Sequence, residues 1–350
     1  MTLSNVFIGN KVVQKIYLSN ALIYQSKGWE TLPSTVQEVW TQDYSDFRSI
    51  DNCIVDFNNY IYLLSGNLLY KFDSEGTVAW SKTFPGAVKL CVDNENVYLV
   101  SIKQKLNSSS SGAIVSKLDD MGNIVQEADI SNNYAIGIIT NFTIDDNYLY
   151  VSTRTGSISG TYYHLFKVDK NLKLIVQNDI AISDDTLTTD EGPYLYFFNN
   201  SRLLRVEKKD LTDLAVLFDG IGSADSAAMD ELGNIIYSIN NGIYRYNLDS
   251  KTTTLVKSSN NSLCKQFCID HQQNIYSING NNSAGYRINL VKISSDNTVI
   301  YDIEIDSTPS GYIFNGKLVV DNNGNIYYLY VNSSYQLIIK KLINLVKEGN

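Results

Sequence analysis

The 350-residue sequence predicts an all-β fold: a seven-bladed β-propeller closed by an N-terminal strand (residues 36–42) and preceded by a small β-meander. Three observations predict it. A unit of apolar strand, terminal Asp, polar turn and aromatic strand recurs seven times. Successive Asp residues are 37, 52, 45, 40, 40 and 51 residues apart, the length of a four-stranded propeller blade. The last unit stops one strand short, and a matching strand stands ahead of the first.

The units begin at Ile54-Val55-Asp56, Cys91-Val92-Asp93, Thr143-Ile144-Asp145, Thr188-Thr189-Asp190, Ala228-Met229-Asp230, Cys268-Ile269-Asp270 and Val319-Val320-Asp321. A tyrosine-bearing strand follows each, with Tyr62, Tyr98, Tyr150, Tyr196, Tyr237, Tyr276 and Tyr327. A third strand such as Leu68-Leu69-Tyr70-Lys71-Phe72 comes next, then a turn such as Asp73-Ser74-Glu75-Gly76 and a fourth strand such as Val78-Ala79-Trp80-Ser81. Gly permits positive φ and Asp bonds its own backbone, so these are turn residues for physical reasons. Short runs bounded by turns favour strands, and no long stretch carries a 3.6-residue apolar period. An Asp present once per blade serves the blade, as a cap on the turn after the first strand, not a ring of acid–base carboxylates.

The seventh unit runs through Leu337-Ile338-Ile339 and ends before a fourth strand. Val36-Gln37-Glu38-Val39-Trp40-Thr41 supplies it, since Val39-Trp40-Thr41 resembles Ala79-Trp80-Ser81. A ring closed in this way leaves no long open sheet edge. The chain therefore divides into residues 1–29 and a propeller over 30–350.

In the first part, Phe7-Ile8-Gly9-Asn10-Lys11-Val12-Val13 parallels Tyr17-Leu18-Ser19-Asn20-Ala21-Leu22-Ile23 at an offset of ten. Gly9-Asn10 and Ser19-Asn20 read as two-residue hairpin turns. A meander this short needs a partner to be stable. The stretch from Val6 through Gln25 resembles the short N-terminal module of tail and baseplate proteins of phages that infect Gram-positive bacteria; Ser19 stands where that pattern has Gly. The resemblance covers only this stretch of the chain. It implies a virion protein, docked onto other virion proteins through Phe7, Ile8, Ile16, Tyr17, Leu22 and Ile23, with the propeller projecting and a homo-oligomeric arrangement in the particle.

Composition narrows the chemistry. The chain has 28 basic and 37 acidic residues, net charge −9, and lacks the basic footprint of a nucleic-acid binder. No apolar run approaches the ~20 residues needed to span a bilayer, and residues 1–30 contain no signal-peptide core. Cys53, Cys91 and Cys268 sit in apolar strand contexts and read as small buried hydrophobes; with Cys264 they complete no zinc pattern. His164 and His271 occupy non-equivalent positions in different blades, with no nucleophile motif beside them. Asp321-Asn322-Asn323-Gly324-Asn325 lacks the carboxylates a calcium loop needs. The expectation is a non-enzymatic protein with no cofactor and no metal.

The long units gain their extra residues between strands two and three and ahead of the next blade. Both connections open on one face, enriched in Ser, Asn, Gly and Tyr, a composition of adaptable binding loops. Tyr134, Tyr162, Tyr163, Tyr286 and Tyr312 are its aromatics, the candidate contacts for a host cell-surface glycan. Two other readings stand beside this one: a purely structural or decorating virion component, and a cell-surface polysaccharide depolymerase using carboxylates in the channel.

Overall fold

The computed structural model describes residues 7–8, 11–12, 15–18, 21–25, 36–45, 47, 49–104, 110–132, 134–157, 160–180, 187–189, 192–199, 202–220, 224–239, 242–258, 266–281, 286–308 and 316–344. Every regular element among them is a strand. Seven four-stranded antiparallel sheets form a ring of blades. The inner strands are Asn52–Val55, Ala87–Val92, Ile138–Ile144, Leu187–Thr189, Ser226–Met229, Phe267–Ile269 and Lys317–Val320. Each adjoins the inner strands of the blades before and after it, and Lys317–Val320 adjoins Asn52–Val55, so the ring is closed.

Closure is by the N-terminal strand. Val36–Tyr44 pairs antiparallel with Leu337–Asn344, from Tyr44 opposite Leu337 to Val36 opposite Asn344. It runs two residues past the expected end, and the Tyr44 hydroxyl donates to the Gly76 carbonyl of blade one.

Burial explains why the strands read as they do in sequence. Ile61–Leu64 and Val97–Val100 on the second strands are buried residue after residue, because both faces of the sheet meet a neighbouring blade. They appear as unbroken apolar runs. The outer strand Val78–Thr83 alternates between half-buried and exposed. The core is divided among the gaps between blades. Tyr62, Leu64 and Leu69 of blade one pack on Leu90, Leu99 and Leu118 of blade two, and a corresponding cluster fills each of the other six gaps. Truncating one such side chain to Ala costs about 2–5 kcal/mol. A blade buries its faces only against two others, so the ring is the folding unit.

The turn-capping role expected of the repeated Asp is present in six blades. Asp56 Oδ1 accepts the N–H groups of Asn58 and Tyr60, both at 2.9 Å. Asp93, Asp145, Asp230, Asp270 and Asp321 hold their turns through the same kind of pair. Asp190 lies outside the described residues.

Ahead of the ring, Phe7–Ile8 pairs with Lys11–Val12 and Lys15–Leu18 with Ala21–Gln25. Ile8 stands opposite Lys11 and Leu18 opposite Ala21, the register of two-residue turns. They form two separate two-stranded sheets where one continuous meander was expected. All six candidate docking residues fall on these strands.

Candidate functional site

The face carrying the first-to-second-strand turns bears a repeated polar unit that the sequence reading found only in part. The second oxygen of the turn Asp accepts the strand-two tyrosine hydroxyl: Tyr62 to Asp56 at 3.2 Å, Tyr98 to Asp93 at 3.1 Å, Tyr150 to Asp145 at 2.9 Å, Tyr276 to Asp270 at 2.9 Å and Tyr327 to Asp321 at 3.1 Å. Burial, reinforced by the carboxylate, pushes these phenols far above their ordinary range, so they remain neutral donors.

In six blades a strand-three cation stands opposite the strand-two tyrosine. Lys71 faces Tyr62, Lys117 Tyr98, Lys167 Tyr150, Arg205 Tyr196, Lys292 Tyr276 and Lys341 Tyr327. In blade five the partner of Arg245 is Ile236. Tyr237, which the sequence places in the tyrosine series, is one residue out of phase. It faces the other side of its sheet and packs on Phe198 of blade four at 5.0 Å between ring centroids. Several of the cations latch onto the third-to-fourth-strand turn of the next blade. Lys71 bonds Asp120, Lys167 donates to the Lys208 carbonyl at 2.7 Å, Arg245 to the Ser295 carbonyl at 2.5 Å, and Lys341 to the Ser74 carbonyl at 2.9 Å. Most of these groups are paired with one another; among the described residues the Nε atoms of Arg205 and Arg245 are buried without a hydrogen bond, Arg245 Nε lying 3.6 Å from Asp230. Their chemistry is structural.

On the same face, a cavity of about 470 Å³ lies at the inner ends of blades two to four, floored by Val92 and Ile144. Asp93, Glu95, Asp145, Asp146 and Lys170 line it. Lys170 pairs with Asp93 at 3.0 Å, and Lys208 with Asp145 at 2.9 Å. Burial opposes the charge on both carboxyls, but the turn N–H groups and the paired lysine outweigh it and hold each below its usual range. Neither is a proton donor near neutral pH. No group of three or more His, Cys, Asp or Glu among the described residues could hold a metal ion.

The candidate tyrosines on described elements belong to the opposite, loop-rich face. Tyr134 lies in the connection between blades two and three, half-buried against the core there, its ring 4.3 Å from that of His164. Tyr162 and Tyr163 are consecutive on Gly160–Asp169 of blade three and so point to opposite faces. Tyr163 packs on the core between blades three and four, while Tyr162 is 50% exposed. Tyr286 opens strand Tyr286–Ile293 of blade six, opposite Thr308. Tyr312 lies outside the described residues. Blades three and six are three places apart in a ring of seven, so Tyr286 does not join the blade-three group. That group sits at the base of a ribbon: Tyr148–Ser157 and Gly160–Asp169 pair out to Ser157 opposite Gly160, past Arg154, where the inner strand's ladder ends.

The remaining candidates are structural. His164, 4% exposed, holds Asp179 through Nδ1 at 2.7 Å. His271, in a turn of blade six, bonds Asn322 of blade seven. Cys53, Cys91 and Cys268 are free thiols. Burial pushes the Cys53 thiol up to about 12 and raises the other two as well. Cys264 lies outside the described residues.

No family model and no curated protein matches the chain. Solved structures do. A streptogramin B lyase structure aligns with TM-score 0.61 and 11% identity over 87% of this chain and 98% of its own. A chain of a mitotic checkpoint complex aligns with TM-score 0.59 and 10% identity over 95% of this chain and 99% of its own. At such identity the likeness is one of fold. A lyase and a component of an assembly share this architecture, so the fold does not choose between catalysis and binding.

Proposed function

We propose that the protein is a non-enzymatic binding module of a phage virion, docked on tail or baseplate proteins by its N-terminal hairpins and contacting a host-surface glycan or a neighbouring protein through its loop-rich face. The observation that carries this reading is where the ring closes. The closing strand begins at Val36, so the hairpins over residues 7–25 take no part in the blade ladders and are left for attachment. The phage-like pattern of those hairpins supports a virion location. The exposed Tyr162 ring, on a ribbon that outruns its blade, offers a stacking surface of the kind saccharides use. A depolymerase reading draws no support from the turn-face cavity. A glycosidase needs one carboxyl with a raised pKa, and Asp93 and Asp145 are shifted the other way.

Two experiments test the proposal. Particles produced with a chain lacking residues 1–29 should lack the protein; incorporation at the normal level would overturn the docking assignment. Tyr162→Ala should weaken binding to isolated host cell walls, whereas binding unchanged in Tyr162→Ala and in Tyr162→Ala/Tyr163→Ala would remove the loop-face site.

A further inference from the structure

The exposed Tyr162 ring is one part of a larger group on the loop-rich face. Tyr162, His164 and Phe166 alternate along strand Gly160–Asp169, and Phe166 packs in the core between blades two and three, so all three point toward blade two. His164 stands opposite Thr153 of the second strand and Asp179 of the outer strand, and Tyr162 opposite Thr155. Tyr162 and Asp179 are therefore diagonal neighbours on one face, ~7–8 Å apart and within reach of an aromatic side chain. The connection from blade two closes the group from the other side. The Ile136 N–H donates to the Ser111 carbonyl at 2.8 Å and the Gly137 N–H to the Arg154 carbonyl at 3.1 Å, while the Thr155 hydroxyl donates to the Ala135 carbonyl. So pinned, the connection sets the Tyr134 ring 4.3 Å from that of His164.

Burial changes abruptly within the group. His164 is 4% exposed, yet the side chain of the carboxylate it holds is 60% exposed. A carboxylate only accepts, so Nδ1 is the donor, and it fixes Oδ1 at 2.7 Å. Asp179 Oδ2 has no hydrogen bond or ion pair among the described residues. A surface carboxylate is ordinarily free to turn; a buried imidazole behind it orders it before any ligand arrives. No lysine or arginine among the described residues pairs with it. Arg154 and Lys167 stand opposite Tyr163 and Tyr150, on the face turned to blade four, and Lys103 of blade two pairs with Glu127 at 2.6 Å. The charge presented beside Tyr162 is negative, in a chain of net charge −9.

We propose that this site takes an uncharged saccharide, with the apolar face of one sugar ring on Tyr162, its hydroxyls donating to Asp179, and His164 as the positioning residue that holds the carboxylate. The inference rests on the glycan reading of the loop-rich face and narrows it, because a carboxylate at the contact works against phosphate- or uronate-bearing polymers.

The chain has only two histidines, and His271 lies in a turn on the other face, bonded to Asn322. Imidazole resonances of the full-length protein, assigned with His271→Asn, therefore report the site without altering it. Methyl glycosides of glucose, galactose, rhamnose and N-acetylglucosamine are compared with glucuronate and glycerol phosphate at equal ionic strength. At least one neutral sugar should move the His164 signal and leave that of His271 still, and neither anion should move it. Followed through the sugar's own resonances, binding should weaken about tenfold or more in Asp179→Ala. It should weaken also in His164→Phe, which keeps a ring beside Tyr134 but no donor, and be retained in His164→Asn, whose amide replaces the Nδ1–H. A His164 signal unmoved by every neutral sugar, anions bound as tightly as neutral sugars, or equal binding in wild type and Asp179→Ala would overturn the proposal. The glycan reading is judged separately on isolated host cell walls: binding lost in Tyr162→Ala but kept in Asp179→Ala would leave that reading standing and remove this one.

Discussion

The joint between blades seven and one is made by a blade whose outer strand comes from the other end of the chain, while the joint between blades one and two is made by a blade of four consecutive strands. They are nevertheless built alike. Trp40 of the closing strand covers Gly76 in the turn of blade one, and Trp80 of blade one covers Gly122 in the turn of blade two. A Cβ on either glycine would meet the indole at 2.5 and 2.8 Å, and both glycines have positive φ, +77° and +73°. Lys341 latches onto Ser74 and Glu75 as Lys71 latches onto Asp120. The difference lies in one hydrogen bond and one tether. Trp80 Nε1 donates to the Asp120 carbonyl at 2.9 Å, whereas Trp40 Nε1 is buried without a hydrogen-bond partner among the described residues. The outer strand of blade one is tied to its neighbour by a tight turn, while Val36–Tyr44 is held by its ladder and side chains. Continuity of the chain within a blade is therefore not what specifies its joint to the next; the tryptophan, glycine and lysine at the contact do.

The largest effect should come from filling the glycine notch. Gly76→Val combines a left-handed backbone cost of about 1–2 kcal/mol with overpacking of about 1–3 kcal/mol. Denaturant unfolding should show a loss of about 3 kcal/mol, with Gly122→Val similar. A much smaller loss at Gly76 would mean that the seam is loosely packed. Next, Lys341→Met and Lys71→Met should each cost about 2 kcal/mol, because each leaves turn acceptors without a charged donor. Trp80→Phe should cost about 1 kcal/mol, while Trp40→Phe should be nearly neutral because it removes an unpartnered N–H; equal costs would erase the difference between the joints.

The turn-face carboxylates give a smaller, pH-dependent effect. Asp93 and Asp145 have lowered folded-state pKa values, so their contribution is present above the unfolded value of about 3.9 and is lost as pH falls through the folded one. In Lys170→Met or Lys208→Met the folded-state values rise, and acid unfolding followed by circular dichroism should begin at a higher pH than in the wild type. Tyr162→Ala, on the loop face, should change stability by less than about 0.5 kcal/mol.

Much of the ring was legible because its determinants are local and repeated. The apolar strand ending in Asp recurs in every unit, and Val39-Trp40-Thr41 matches Ala79-Trp80-Ser81 closely enough to place the missing strand. The strand-three cations were equally regular, but a lysine in an apolar strand reads as solvent-facing unless the tyrosine opposite it and the turn of the next blade are known. Tyr237 misled because a one-residue phase change leaves composition untouched while reversing the face. The loop-face tyrosines were chosen by loop length, which says nothing of angular position around the ring, so Tyr286 was grouped with residues on a distant blade.

Closure by the N-terminal strand is tested most directly by cross-linking. Thr41 stands opposite Lys340 in the seam ladder, where directly paired Cβ atoms lie about 4.5–5.5 Å apart. Thr41→Cys/Lys340→Cys should oxidise to a single intramolecular disulfide and raise Tm, while the one-residue slip Gln42→Cys/Lys340→Cys, with its thiols on opposite faces, should not. A folded Thr41→Cys/Lys340→Cys protein that stays reduced, or a slipped pair that cross-links as readily, would contradict the closed ring.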